Sequence, residues 1–330
     1  MKRVHVREAV GKPLFHDMTA ISEDGCKGPR FKRGHVIREE DIPVFLDMGK
    51  EHIFIWEEDP NLVHEEDAAE AVVRIAAGEN MIIPPPSEGR FSLRAARDGV
   101  FVLNKEGLIN INSVPDYTFA TLRHGVPVKE GDIVVGARIV PLVTTVERVE
   151  QAKEVAQFYA PVFSIAPYRP LKTAMVITGG EIYSGRIKDA FAPILRKKIA
   201  HYGGVELGAT ICPDDVEFIS NAVKSYANQG ADLILMTGGM SVDPDDVTPT
   251  VIRSLADKFL FQGLPVQPGN MLTVGYMETT MLVGVPGASM HSPVTSLDLF
   301  LPMIYGGVPF SQADAISMGE GGLSICRHWP

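Results

Sequence analysis

Four short segments place glycine or carboxylate residues directly after a predicted buried strand. Glycines at such positions let a ligand approach the backbone and leave N–H groups available for a phosphate. Carboxylates there can accept the paired donors of a pterin or purine ring, or hold Mg²⁺. The four segments are Thr178-Gly179-Gly180-Glu181, Pro213-Asp214-Asp215, Thr237-Gly238-Gly239 and Pro286-Gly287-Ala288-Ser289.

The third segment belongs to the longest run of such residues. An apolar strand is predicted at Asp232–Met236, and the glycine pair ends it. Ligands of open α/β sheets bind outside the carboxyl ends of the strands, so this run predicts a binding loop. The loop carries Asp243, Asp245 and Asp246, and Thr248-Pro249 after it predicts an N-cap followed by the first helical position.

Each of these residues also has an ordinary structural interpretation. Asp214 is a suitable N-cap, with Glu217 as its capping-box partner three residues later. Asp246 could simply order its loop, and Gly238-Gly239 could form only a turn. Their occurrence at four consecutive strand ends favours a ligand site, because in a parallel sheet all four ends lie on one edge.

The elements that must position these residues alternate between strand and helix. Strands of this kind separated by amphipathic helices predict an α/β fold, here a three-layer α/β/α domain with a mainly parallel sheet over residues 166–330. Gln262–Met277 is predicted to be irregular. The predicted strands are Thr173–Ile177, Val205–Cys212, Asp232–Met236 and Thr280–Val285, and the predicted helices cover residues 187–199 (capped by Asp189), 216–226 and 292–305.

The first half of the chain predicts two further segments. Residues 1–80 form a small N-terminal α+β segment, and residues 81–165 form a β-rich middle segment that ends in a helix near residues 146–159. Proline-rich stretches at Pro84–Pro86 and Ala160–Pro170 predict linkers. In the middle segment, strands are expected at Gly99–Leu103, Gly107–Asn112 and Asp132–Val140.

Composition excludes several classes of function. The 330 residues carry a net charge of -10, which argues against nucleic-acid partners. Cys26, Cys212 and Cys326 lie too far apart to predict a disulfide framework or a zinc site. The chain has no 18-residue apolar segment and no signal-peptide core, which predicts a cytoplasmic enzyme or binding protein without membrane contact.

Common catalytic and nucleotide-binding motifs do not occur. The sequence contains neither the P-loop pattern nor a strand followed by G-x-G-x-x-G, and it contains no G-x-S-x-G elbow. No two histidines have the i,i+4 spacing of a metal site. His291, near the fourth segment, is expected to line the site as a polar residue rather than to catalyse.

Residues 171–308 resemble the molybdopterin-binding domain of the MoeA and MogA families of molybdenum-cofactor biosynthesis proteins. The resemblance is carried by Thr178-Gly-Gly-Glu181, by Pro213-Asp214-Asp215, by the run from Thr237 to Pro249 that ends in Asp246-Val-Thr-Pro, and by Val285-Pro286-Gly287. It implies molybdopterin or its adenylate as ligand and substrate. It also implies a homo-oligomer, since many members of these families are dimers or trimers.

The resemblance assigns roles to individual residues. Asp214 and Asp246 match the acidic positions used in binding and catalysis, and they are the candidate Mg²⁺ ligands. Glu181 matches the acidic residue of the MoeA-type Thr-Gly-x-Glu turn. The ligand-binding set expected from the four strand ends is Thr178, Gly179, Gly180, Glu181, Asp215, Thr237, Gly238, Gly239, Ser241, Pro286, Gly287 and Ser289.

The sequence departs from the MoeA pattern at two places, and three hypotheses about its function stay open. Gln267 and Asn270 stand where MoeA-type proteins have lysines, and Ala288-Ser289 replaces Asn-Pro. The first hypothesis is a maturation enzyme that transfers adenylyl groups or inserts molybdenum. The second is a non-catalytic carrier or sensor, with residues 1–165 docking a molybdoenzyme or another cofactor-biosynthesis protein. The third is a nucleotide pyrophosphatase similar to the CinA family.

Overall fold

The computed structural model describes residues 1–21, 27–55, 59–241, 243–244 and 246–323. Cys26, Cys326 and Asp245, which were considered above, lie outside these ranges. The chain divides into two compact units. The first contains Met1–His124 with Val128–Ile165, and the second contains Gly125–Pro127 with Ala166–Pro330. The three-part division derived from the sequence stays a prediction.

Small sheets and four α-helices build the first part of the chain in the residues that the structure describes. The strands of this part are β1 (Lys2–His5), β2 (Met18–Ile21), β3 (Lys27–Phe31), β4 (His52–Ile55), β5 (Leu62–His64), β6 (Met81–Ile82), β7 (Phe91–Ala95), β8 (Gly99–Leu103), β9 (Tyr117–Thr121), β10 (Pro127–Val128), β11 (Ile133–Ile139), β12 (Val143–Thr145) and β13 (Phe163–Pro167). The helices of this part are α1 (Ile42–Asp47), α2 (Glu65–Ala76), α3 (Lys105–Ser113) and α4 (Val146–Tyr159). The largest sheet has four strands, in the order β6-β7-β11-β9, and its pairings are antiparallel.

One strand prediction for this part was wrong. The segment Gly107–Asn112 lies within helix α3 and not in a strand. Its short apolar run has no periodicity that distinguishes a strand from a helix. The Asn104 side chain caps the helix by accepting a hydrogen bond from the Gly107 N–H at 3.1 Å. A Cβ at Gly107 would lie 2.8 Å from the Tyr159 Cβ, so glycine lets α3 pack closely on α4.

The predicted linker Ala160–Pro170 contains strand β13, and the division between the two units falls within it, between Ile165 and Ala166.

The second unit is built on a six-stranded sheet, which confirms the α/β class. Its strands are β14 (Lys172–Thr178), β15 (Val205–Cys212), β16 (Leu233–Thr237), β17 (Lys258–Gln262), β18 (Thr273–Met277) and β19 (Thr280–Gly284). The strand order is β15-β14-β16-β19-β18-β17. Strands β15, β14, β16 and β19 are parallel, while β18 pairs antiparallel with both β19 and β17. Strand β18 corrects the irregular region expected at Gln262–Met277.

The helices of this unit are α5 (Gly180–Tyr183), α6 (Phe191–His201), α7 (Val216–Asn228), α8 (Thr248–Leu255), α9 (Ser296–Gly306) and α10 (Gln312–Ser317). Helices pack against both sets of side chains that alternate along β14. Ala174 and Val176 belong to one core with residues of α7 and α8. The neighbouring Thr173 hydroxyl lies 2.9 Å from the Tyr305 hydroxyl of α9. None of the described helices is long and apolar enough to cross a membrane.

Asp189 fixes the start of α6, as predicted. Its carboxylate accepts hydrogen bonds from the N–H groups of Phe191 at 2.8 Å and Ala192 at 3.0 Å. Ile187, where the helix was predicted to begin, lies before it and is exposed. The cap therefore determines where the chain turns from the end of β14 into the helix.

Replacing Asp189 with Ala should lower the free energy of unfolding by about 0.5–2 kcal/mol, the usual effect of losing an N-cap. Urea unfolding followed by circular dichroism measures the change. Lys188→Ala is the matched control, because Lys188 is an exposed neighbour. Equal stability of the two variants would contradict the capping role.

Candidate functional site

The pairing of the parallel strands brings the four sequence segments to one edge of the sheet. Thr178 at the end of β14 lies opposite Cys212 at the end of β15. On the other side of β14, Ile177 lies opposite Thr237 of β16, whose neighbour β19 ends at Gly284. The turns that follow these strands therefore leave the sheet from the same edge, while their roles in binding stay predictions.

Gly238 makes the closest backbone approach in this region. Its φ is 82°, a left-handed conformation that favours glycine. A Cβ built there would lie 2.1 Å from the Thr178 carbonyl oxygen, a distance at which the two atoms overlap. The next residue, Gly239, also has a positive φ of 53°. Glycine is thus required at Gly238 for the end of β16 to pass beside the end of β14.

Three threonine side chains are buried around this crossing. Thr178, Thr237 and Thr248 are each at most 2% exposed. The hydroxyl oxygens of Thr178 and Thr248 lie 3.4 Å apart. The Thr237 hydroxyl has no hydrogen-bond partner among the described residues. Leaving a buried hydroxyl without a hydrogen bond is unfavourable by roughly 1–3 kcal/mol. A hydrogen bond from a ligand or a water molecule to the Thr237 hydroxyl would remove this penalty.

Asp214 and Asp215 have different structural roles. Asp215 caps α7, because its carboxylate accepts a hydrogen bond from the Phe218 N–H at 2.8 Å. The alternative that made Asp214 the cap is therefore wrong. The Asp214 carboxylate instead accepts a hydrogen bond from the Gly180 N–H at 2.7 Å. This bond links the turn after β15 to the turn after β14, within the candidate site.

Asp246 orders the loop that follows Gly239. Its side chain accepts a hydrogen bond from the Asp243 N–H at 3.1 Å, and its own N–H donates to the Asp243 carbonyl at 3.0 Å. The helix after this loop begins at Thr248, with Val247 at the N-cap position. Thr248 was predicted to be the cap itself. Its hydroxyl instead faces Thr178, a contribution to the site that the sequence pattern had assigned to capping.

The remaining predicted residues differ in what they offer a ligand. The Ser289 hydroxyl is buried and lies 3.0 Å from the Thr295 hydroxyl, so the fold already uses it. Pro286 is buried at the start of a short helical turn. Residues Glu181, Ser241, Gly287 and His291 are exposed.

Cys212 lies at the same edge, where no role was predicted for it. Its side chain is fully buried, and burial raises the pKa of its thiol to about 11. A thiol with this pKa remains protonated at neutral pH, so it offers neither a nucleophile nor a metal ligand. Cys212 is therefore a packing residue of the hydrophobic core.

The carboxylates fit one mode of Mg²⁺ binding. Within the described ranges, no group of three His, Cys, Asp or Glu residues could hold a metal. Asp214 and Asp246 each use Oδ2 for a backbone N–H, and no described residue hydrogen-bonds either Oδ1. Mg²⁺ is commonly bound by one or two carboxylates together with substrate phosphates and water. These two residues match that mode and not an all-protein cage.

Comparisons with family models place one known family on each unit. Residues 174–305 match a family described as a probable molybdopterin binding domain. Residues 3–57 match a family described as a domain of unknown function. The resemblance inferred from the strand-end motifs is confirmed for the second unit.

Curated relatives match parts of the chain. A molybdopterin molybdenumtransferase from Haemophilus influenzae is 27% identical over 74% of this chain and 58% of its own length. A CinA-like protein from Mycolicibacterium gilvum is 31% identical over 35% of this chain and 26% of its own length. The chain thus spans less than two thirds of either relative.

A solved structure of a molybdopterin biosynthesis protein from Mycobacterium abscessus also matches. It is 22% identical and covers 42% of this chain and 95% of its own, with a TM-score of 0.38.

Gly238→Ala should destabilise the protein by more than about 1 kcal/mol and weaken ligand binding, because the new methyl group would overlap the Thr178 carbonyl. Gly136→Ala is the control, since a Cβ there meets nothing within 4 Å and Gly136 lies in β11, outside the candidate site. Thermal unfolding and pterin fluorescence titration measure the two effects. A Gly238→Ala protein as stable as the Gly136→Ala protein would contradict the close approach.

Proposed function

We propose that residues 166–330 form a three-layer α/β/α molybdopterin-binding domain, and that the chain acts in molybdenum-cofactor biosynthesis. The observation that carries this proposal is the meeting of four glycine- or carboxylate-bearing turns at the carboxyl edge of parallel strands. Such an edge is the usual ligand site of open α/β sheets. The ligand would be molybdopterin or its adenylate.

The two kinds of group at this edge suit different parts of that ligand. The terminal phosphate would lie against the backbone of Gly238 and Gly239 and the exposed Ser241 hydroxyl, because successive N–H groups in tight turns bind anions. The pterin ring carries adjacent N–H donors, and the exposed Glu181 carboxylate can accept hydrogen bonds from them. The unpaired Thr237 hydroxyl would complete the polar contacts.

Mg²⁺ would be held by Asp246 and Asp214 through the Oδ1 atoms that no described residue hydrogen-bonds. The ion would supply charge neutralisation at the phosphate groups. The residues of the chain would orient that phosphate and hold the ring. Hydrogen bonds from the Gly180 and Asp243 N–H groups would fix the carboxylates of Asp214 and Asp246 in place.

The residues of the turn containing Gln267 and Asn270 distinguish a protein that inserts molybdenum from one that only carries the cofactor. Pro268 and Gly269 hold the start of α9, since the Pro268 carbonyl accepts from the Ser296 N–H at 3.1 Å. The flanking Gln267 and Asn270 are exposed and offer amides, which cannot neutralise molybdate charge. This favours binding or adenylyl transfer over molybdenum insertion.

A carrier would need a docking partner. In this version of the proposal, residues 1–165 bind a molybdoenzyme or another cofactor-biosynthesis protein. The homo-oligomeric state and the cytoplasmic location inferred from the sequence remain predictions within the same proposal.

A nucleotide pyrophosphatase is the second candidate function. It is favoured by the same glycine turns and carboxylates, which suit a nucleotide diphosphate as well as a pterin phosphate. The two candidates differ in the ring that is bound. Mass analysis of the ligand that co-purifies with the protein distinguishes a pterin from a nucleotide.

Asp246→Asn should reduce molybdopterin binding and any turnover by roughly 10- to 100-fold, since losing a charged hydrogen bond is unfavourable by about 1.5–3 kcal/mol. The fold should remain, because an asparagine side chain can still accept from the Asp243 N–H. Asp243→Asn, on the same loop and exposed, is the matched control. If both variants bind as the parent protein does, Asp246 only orders its loop.

Changing Gln267 and Asn270 together to Lys should create or raise molybdenum insertion, because two ammonium groups would then neutralise the dianion. The assay supplies molybdopterin adenylate, Mg²⁺ and molybdate, and measures activation of an apo-molybdoenzyme. Efficient activation by the unchanged protein would show that the lysines are unnecessary. Unchanged pterin binding in the double variant is the control for an intact site.

A further inference from the structure

Two aromatic rings lie exposed beside the candidate site. Tyr183 is 52% exposed and Phe218 is 43% exposed, although phenylalanine is among the residues most often buried completely. The centres of the two rings lie 5.8 Å apart and their planes meet at 70°, which is the edge-to-face arrangement of an aromatic pair. Tyr183 follows β14 and Phe218 follows β15, so the pair lies where these two neighbouring strands end.

The contacts that hold the candidate site also hold this pair. Tyr183 comes three residues after Gly180 in α5, and residues three apart lie on the same face of a helix. The Gly180 N–H donates to the Asp214 carboxylate at 2.7 Å, which ties α5 to the turn before α7. Phe218 lies in the first turn of α7, where its N–H donates to the Asp215 carboxylate. The two rings are therefore brought together by the pairing of the turns after β14 and β15.

Core packing does not account for the position of the rings. The side of α7 that faces the sheet is formed by Ile219, Val223 and Tyr226. In the described residues, the core that α7 shares with the sheet contains neither Phe218 nor Tyr183. Single exposed apolar residues are common, but exposed rings that are grouped at a binding edge are typical of a surface that contacts a ligand.

The strand order places the pair on one side of the proposed phosphate position. The turn at Gly238 follows β16, Glu181 and Tyr183 follow β14, and Phe218 follows β15 at the end of the strand order. Because neighbouring strands lie about 5 Å apart, the pair is on the order of 5–10 Å from that turn along the edge. The Glu181 Oε2 lies 3.7 Å from the position of a Cβ at Gly179, so this carboxylate folds back over the turn after β14.

Aromatic side chains bind flat nitrogen heterocycles through their ring faces. Such a heterocycle stacks on tyrosine or phenylalanine whatever its hydrogen-bonding pattern, because stacking uses only the π-face. A carboxylate that accepts from the N–H donors of the heterocycle fixes one of its edges and leaves its plane free to tilt. A stacking face next to the carboxylate removes this freedom, which lowers the entropic cost of binding.

We propose that Tyr183 and Phe218 form a stacking face for the planar part of the pterin ring and position its edge against Glu181. The inference rests on the proposed function, in which the ring is a pterin and the phosphate lies at the turn of Gly238. Tyr183 and Phe218 are positioning residues in this arrangement. They add selection for a flat ring to the selection for phosphate that the glycine turn provides.

Anaerobic calorimetric titration of the full chain with molybdopterin tests this proposal. Tyr183→Ala and Phe218→Ala should each raise the dissociation constant roughly 5- to 100-fold, the range for removal of a stacking ring. Tyr183→Phe keeps the ring and should bind as tightly as the parent protein. Val216→Ala is the matched control for Phe218→Ala and should also bind normally. Val216 is 43% exposed as well, and it lies two positions earlier in α7, on nearly the opposite side of the helix.

A competitor without a ring separates stacking from a purely structural role. Inorganic phosphate should displace molybdopterin with the same inhibition constant in the parent protein and in both alanine variants, because the rings do not contact the phosphate. Stacking also changes the absorption spectrum of the bound pterin. This change should be lost in Tyr183→Ala and kept in Tyr183→Phe.

Two results would overturn the inference and leave the proposed function intact. In the first, both alanine variants bind molybdopterin as tightly as the parent protein. In the second, they lose affinity for molybdopterin and for inorganic phosphate to the same extent, which would mean that the pair only holds the two turns together. A parent protein that binds no molybdopterin would instead overturn the proposed function, and the inference with it.

Discussion

The passage of Gly238 beside the Thr178 carbonyl is the constraint on which the candidate site depends. It allows β16 to end next to β14 at a separation that excludes even one methyl group. At the start of α8, the Thr248 hydroxyl lies 3.4 Å from the hydroxyl of Thr178 at the end of β14. A larger residue at Gly238 would displace the end of β16 and disturb the buried hydroxyls of Thr178, Thr237 and Thr248.

Two carboxylates of the candidate site both hold the backbone and leave an oxygen available for a ligand. Asp214 ties the turn after β15 to Gly180, and Asp246 closes its own turn, each through a single carboxylate oxygen. The second oxygen of each carboxylate has no hydrogen bond to a described residue. A site built in this way holds its charges in place before a ligand arrives, which lowers the entropic cost of binding. The Asp215 carboxylate, in contrast, caps the N-terminus of α7.

The sequence predicted the parallel core of the second unit and the shared edge of its four turns, because each buried strand there is bounded by glycine or proline. It failed where local patterns were ambiguous. The run Leu108–Ile111 fits a strand as well as a helix, and the features that accompany the helix are the Asn104 cap and the close packing of Gly107 against Tyr159, which no local apolar pattern shows. Which of Asp214 and Asp215 caps α7 depends on the backbone of one loop. The role of Thr248 requires the contact with Thr178, seventy residues earlier in the chain.

Titration of the full chain with molybdopterin, followed by pterin fluorescence with Mg²⁺ present, tests whether the shared edge of the sheet is a pterin site. We expect saturable binding of one molybdopterin per chain, with AMP or ATP alone binding much more weakly. The phosphate cradle and the carboxylate that accepts from the ring would then act on one ligand. Absence of saturable pterin binding, with tight binding of a nucleotide instead, would rule out a pterin site and favour a nucleotide-processing enzyme on the same fold.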